Sequence, residues 1–106
     1  MQTFGEGLTP WARETISTTT ASIGFTASYL SHSTYGYLPM RAAEITAEKG
    51  AIRFTTSGAT PTVGDVGDLI LENATHTILG IDACRKFRCI NESASSGAIL
   101  NCRYFY

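Results

Sequence analysis

Charge is what this chain has least of. Charged residues make up 16% of its 106 residues, against roughly 25% in soluble domains. The few charges nearly balance, at a net −1, which removes any long-range attraction to nucleic acid or to an anionic membrane. Long apolar runs are missing too. The longest are a few residues, far short of the ~20 that a membrane-crossing helix needs. Cysteine is scarce: with three, at least one thiol stays unpaired. Cys84, Cys89 and Cys102 show no CxxC spacing, and His32 and His76 stand alone, so no zinc site is expected. Unpaired thiols fit folding in a reducing compartment. The opening Met1-Gln-Thr-Phe-Gly-Glu-Gly7 has no basic-then-apolar leader, so no signal peptide is expected. Asn73-Ala-Thr75 and Asn91-Glu-Ser93 match the glycosylation pattern, as chance provides in a chain so rich in Ser and Thr.

What replaces the charge is Thr, Ser and Ala, with hydrophobic residues at 43%. That composition suits β-structure whose surfaces make contacts. The length fits one domain, able to bury roughly two thirds of its unfolded surface. Residues 1–12 read as an N-terminal arm, broken by Gly5, Gly7 and Pro10 and carrying Phe4 and Trp11 as apolar anchors. Such spaced aromatics dock onto the chain's own domain or onto a neighbour.

Residues 13–106 read as the folded domain. Alternation over residues 13–30 predicts one or two strands, with Ile23 and Phe25 on one face. A loop follows at Ser31-His-Ser-Thr-Tyr-Gly36. Between residues 43 and 56 the apolar positions switch parity, from Ala43, Ile45 and Ala47 to Ile52 and Phe54. A tight turn at Lys49-Gly50 reconciles them as a hairpin pairing Ala47 with Ile52 and Ile45 with Phe54. A β-bulge at Gly50 is the alternative. Two further hairpins are expected. One runs from Leu69-Ile-Leu71 to His76-Thr-Ile-Leu79 around Asn73; the other joins Arg85-Lys-Phe-Arg-Cys-Ile90 to the C-terminal strand over residues 98–105. No amphipathic helix of useful length appears. Seven to eight short antiparallel strands predict an all-β domain, a β-sandwich or jelly roll.

Chemistry is harder to find. Catalysis needs a nucleophile or an acid–base pair with a positioned partner, and neither histidine lies in such a setting. The cations Arg85, Lys86 and Arg88 beside Cys84 and Cys89 could lower a thiol pKa. Alternation instead places Cys89 with Phe87, and Cys102 with Leu100, as core fillers. Asp65, Asp68 and Glu72 lack the dense spacing of a calcium loop and read as a solvated turn. Arg85-Lys-Phe-Arg88 has the composition of a single-strand nucleic-acid contact, which the overall charge balance argues against. There is no phosphate loop and no convincing carboxylate pair. The chain reads as a non-enzyme, with no cofactor or metal.

Residues 41–106 also carry a resemblance. Glu44-Ile-Thr-Ala-Glu48, Ile52-Arg-Phe54, Gly58-Ala-Thr-Pro-Thr62, Gly67, Lys86-Phe-Arg-Cys-Ile90 and Leu100-Asn-Cys-Arg-Tyr-Phe105 occur in an order that resembles small virion structural proteins of tailed bacteriophages. The turn opens on Ser57-Gly58, where that group has Asp-Gly. The resemblance implies a cement or decoration protein that binds the major capsid protein and itself, as a dimer or trimer. It would be made in the host cytoplasm and located in the virion. A head-to-tail connector or tail component is the second reading. The third is a carbohydrate-binding module, which would want coplanar aromatics on one face. The expected interface residues are Phe4, Trp11, Tyr35, Tyr37 and Tyr106, because aromatic side chains give contact area at little entropic cost.

Overall fold

In the computed structural model, residues 10–32, 38–92 and 97–106 are described. They form two antiparallel sheets packed face to face. The strands are β1 (Pro10–Ser17), β2 (Ser31–His32), β3 (Leu38–Pro39), β4 (Ala42–Glu48), β5 (Ile52–Thr55), β6 (Asp68–Ile70), β7 (Thr75–Leu79), β8 (Arg88–Asn91) and β9 (Ile99–Phe105). One sheet has the order β1-β9-β4-β7 and the other β6-β5-β8, while β2 and β3 pair as a small separate ribbon. The second sheet gains a one-residue fourth member where Ile23 bridges Cys89, through hydrogen bonds of 3.0 and 2.8 Å.

Two long ribbons, each bent once, generate this order. The inner ribbon runs from β4 into β5 and returns through β6 into β7. Its registers are Ala43 with Ile78 and Ile45 with His76 in one sheet, then Ile52 with Ile70 and Phe54 with Asp68 in the other. Both halves stay paired across the bend, where Ala47 donates to the Ala74 carbonyl at 3.1 Å and Asn73 donates to that of Ala47 at 2.6 Å. The outer ribbon pairs β1 with β9, continues through Thr18 and Ala98 at 3.1 Å, and ends at the Ile23–Cys89 bridge. Laying β9 beside β4 and β8 beside β5 rolls one ribbon against the other. That is the connectivity of a jelly roll.

This winding corrects the three hairpins expected from the sequence. β4 and β5 lie in different sheets, and so do β6 and β7, and β8 and β9. The parity switch at Lys49-Gly50 is a corner between sheets. Ala47, Ile45, Ile52 and Phe54 do all face inward, fully or nearly fully buried, but they meet across the sandwich instead of side by side. A hairpin and a corner bury the same residues, so the alternation could not separate them. The bend uses left-handed backbone at Lys49 (φ 62°) and Asn73 (φ 68°) and an open φ of 148° at Gly50.

Other departures are local. Residues 18–30 are irregular after β1, with a 3₁₀ turn at Ala27–Tyr29; Phe25 is buried but Ile23 is 41% exposed. Ile81–Lys86 is a short helix, α1; it takes Arg85 and Lys86 from the strand expected over residues 85–90, and β8 begins only at Arg88. It carries the chain from β7 to β8, with Asp82 in its first turn and Arg85 and Lys86 in its last, signs that suit the helix dipole. Pro10 and Ala12, read as part of the end of the arm, are already paired with Phe105 and Tyr104 in β1. Residues 1–9 lie outside the described residues.

The core is aromatic at its centre. Phe25 stacks on Phe87 at 4.2 Å and meets the Tyr104 ring edge-on at 5.1 Å. Phe54 leans on Phe87 at 5.7 Å and on the His76 ring at 5.0 Å. Offset and edge contacts of this kind add to burial itself. Gly24 is needed here: a Cβ would lie 2.7 Å from the Phe87 carbonyl oxygen and 2.5 Å from the Arg88 guanidinium. All three thiols are buried and unpaired. Among the described residues no helix is long and apolar enough to cross a membrane.

Candidate contact surface

Strand alternation sends every second residue of the four-stranded sheet away from the core. Because the four strands are level, these residues form rows across the sheet. One row is Thr15, Asn101, Thr46 and Thr75; the next is Arg13, Arg103, Glu44 and Thr77. The first is tied across strands, Thr15 to Asn101 at 3.1 Å and Thr46 to Thr75 at 2.9 Å. In the second, the Arg103 guanidinium meets Glu44 at 3.0 Å. An open groove of about 520 Å³ runs over these rows.

Charge on this face is divided. The cations Arg13 and Arg103 stand on β1 and β9, and the anions Glu44 and Glu48 stand on β4. Arg13 and Glu48 have no ion-pair partner among the described residues. The Nε of Arg103 is buried and finds no acceptor among them. Such a donor is costly to leave unmet.

On the opposite sheet, the outward Arg53 of β5 grips Glu92 with two hydrogen bonds, at 2.7 and 2.8 Å, and donates to the Gly67 carbonyl at 2.9 Å. Glu92 also accepts from the Gly64 amide at 3.3 Å. The pair pins the loop between β5 and β6 onto the sheet. The hydrogen bond from Arg53 holds the Glu92 carboxyl below its ordinary range, and the same bond raises the guanidinium. Exposed aliphatics lie beside it: Val63 and Val66 in the loop, Leu69 and Leu71 on and just beyond β6. Among the described residues β6 and β7 are outer strands of their two sheets; Leu79 of β7, in line with Thr75 and Thr77 on the four-stranded sheet, is 66% exposed.

The residues screened for chemistry occupy structural positions. Burial raises the Cys84 thiol to about 11 and the Cys89 and Cys102 thiols to about 12, the reverse of an activated nucleophile. His76 packs its ring on Phe54. Glu14, half-buried on β1, accepts from the Tyr104 hydroxyl at 2.5 Å and from the Thr26 amide and hydroxyl. Burial pushes the Tyr104 phenol far up, so it acts here as a fixed donor. Asp65, Asp68 and Glu72 are exposed. Among the described residues no group of three His, Cys, Asp or Glu could hold a metal ion.

Of the five expected interface aromatics, Phe4, Tyr35 and Tyr37 lie outside the described residues. Trp11 falls within β1, at an irregularity in its pairing with β9. Tyr106 is a correction: it is 6% exposed and donates to the Tyr29 carbonyl at 2.5 Å. The chain end turns inward after β9, so this ring fills the core. Missed in the sequence were Arg13, Thr15, Asn101 and Arg103. Their period-2 polarity was visible, but only the pairing of β1, β9 and β4 places them beside Glu44 and Thr46.

No family model matches this chain, and neither a curated protein nor a solved structure does.

Proposed function

We propose that this chain works by contact, as a structural component of a tailed-phage virion that binds the major capsid protein and stabilises the shell as a cement or decoration protein. The observation that carries the reading is the outer face of the four-stranded sheet. It is broad, polar and held in place by cross-strand hydrogen bonds, so little freedom is lost when a partner covers it. On the opposite sheet, the outer strand β6 and the exposed Leu69 and Leu71 offer a second, apolar contact surface. Buried, protonated thiols and a Glu14 carboxylate already engaged by three donors support a non-catalytic role. A near-neutral surface suits a lattice in which many copies each contribute a modest contact. The order of motifs over residues 41–106 is the reason for naming a phage shell, since jelly rolls host unrelated functions.

Copy number tests the reading. Particles of a phage encoding this chain, purified on a density gradient, should contain it at a ratio near that of the shell subunit. A few copies per particle would make it a connector or tail component. Absence from particles would end the virion reading. The carbohydrate reading is less supported, because the groove of the four-stranded sheet is lined by Arg, Glu, Thr and Asn, with no aromatic platform among the described residues.

A further inference from the structure

The outer face of the four-stranded sheet is self-complementary, and we infer that two copies of this chain pair through it as a twofold dimer. The inference rests on the reading of the chain as a self-associating contact protein and names the surface that reading leaves open.

Two observations carry it. The charges on the face sum to zero and are divided by strand, Arg13 and Arg103 on β1 and β9, Glu44 and Glu48 on β4. The rows are level across all four strands, with Arg103 opposite Glu44 and Asn101 opposite Thr46.

A twofold axis parallel to the strands, passing between β9 and β4, lays β9 of one copy over β4 of the other. Each row then faces itself in reverse. Arg103 stands over Glu44 of the second copy and Glu44 over its Arg103, so each guanidinium gains a second carboxylate. Asn101 faces Thr46, and Thr15 faces Thr75, groups that both donate and accept. Arg13 lies over Thr77, next to Glu44 of the second copy. Packed sheets settle within about 30° of parallel, a rotation that long Arg and Glu side chains absorb.

The alternative axis, across the strands, places β9 on β9 and β4 on β4. With that axis along the Arg103 row, arginines face arginines and glutamates face glutamates; with the axis midway to the next row they face Asn101 and Thr46 and gain no ion pair, so that mode is disfavoured. The charge pattern therefore selects both the partner and the orientation. A nucleic acid would be repelled by Glu44 and Glu48. The outer strand β6 carries Leu69 and Leu71 on the other sheet of the sandwich and stays available to another partner.

Sedimentation velocity on the full chain, over a concentration series at low and high salt, tests the inference. The wild type should dimerise, and less so at high salt, where charge pairs are screened. Arg13→Glu with Arg103→Glu makes the face acidic; Glu44→Arg with Glu48→Arg makes it basic. Each double variant alone should self-associate about tenfold or more weakly, and an equimolar mixture should regain the dimer as a heterodimer. Circular dichroism checks that both fold. Should loss of the Arg103–Glu44 pair unfold either, the single variant Arg13→Glu breaks no ion pair within the chain, sets a carboxylate beside Glu44 of the second copy, and must weaken the dimer. A monomeric wild type overturns the inference, as does a dimer that these reversals leave unchanged or that mixing fails to restore. Because no capsid enters the assay, those outcomes leave shell binding standing, and absence from particles would leave the dimer standing.

Discussion

Phe54 shows how much one side chain carries here. It is 2% exposed and touches both Phe87 and His76, so it belongs to β5 and braces β7 across the core. Phe54→Ala should cost about 3–5 kcal/mol, as buried Phe truncations do, read from the urea midpoint at unchanged slope. A loss below about 1 kcal/mol would mean that the ring does not occupy the core centre. The buried thiols make a second prediction at this scale. In the folded chain Cys89 and Cys102 ionise near 12, above the roughly 8.5 of an exposed thiol. The unfolded chain therefore releases these protons first as pH rises. Their contribution to stability is whole below about pH 8.5 and is lost progressively towards pH 12, at about 1.4 kcal/mol per pH unit for each thiol. Chemical denaturation at pH 7, 8 and 10 should show the midpoint nearly unchanged over the first interval and falling over the second. Replacing both cysteines by Ala should reduce that alkaline fall and leave the share that Cys84 contributes.

At the scale of elements, the corners decide the fold. Lys49 holds a left-handed φ of 62° at the bend between β4 and β5, a conformation that costs an L-residue roughly 1–2 kcal/mol. A branched Cβ makes it worse. Lys49→Val should therefore destabilise the domain by about 1–2 kcal/mol, while Lys49→Gly should be neutral or slightly stabilising. Equal stability of the two variants would show that the corner is not where the strain lies. The same position explains what the sequence could and could not disclose. The alternation of Ala43, Ile45 and Ala47, then Ile52 and Phe54, tells which side chains face inward, and all five do. It is silent on whether the next strand lies beside or opposite. Ile81–Lys86 was legible for a similar reason only in part. Its Cys84 and the following Phe87 are buried as expected, but six residues are too short for helical periodicity to stand out.

For the whole molecule, the defining contacts are between distant parts of the chain. β1 pairs with β9, Thr15 with Asn101 and Ile16 with Leu100, so the sheet closes only when both ends of the domain have arrived. Non-local pairing of this kind slows folding. It also makes the first strand integral. Ile16 is buried, and Glu14 holds the Tyr104 hydroxyl. Deleting residues 1–17 should abolish the cooperative thermal transition, followed by circular dichroism. A sharp transition at an undiminished midpoint would show that β9 stands as an edge strand without β1.

The candidate contact face was legible residue by residue and not as a surface. Glu44, Thr46 and Glu48 were readable as an outward set on one strand, and Asn101 and Arg103 alternate with buried neighbours on another. Nothing in their spacing says that the two strands touch. Tyr106 illustrates the converse: a terminal aromatic has the composition of an anchor, yet the end of β9 lies where the sandwich needs filling.

The amino-acid sequence by itself determined the class of fold, the inward set of side chains and the fate of the thiols, because each follows from a local period of two and from hydrophobicity. The tertiary structure alone decided which strands are neighbours, that the turns at Lys49-Gly50 and Asn73 are corners, and that two arginines and two glutamates share one face. Those outcomes depend on long-range pairing. A jelly roll and a chain of hairpins bury the same residues, and only the packing of two bent ribbons against each other separates them.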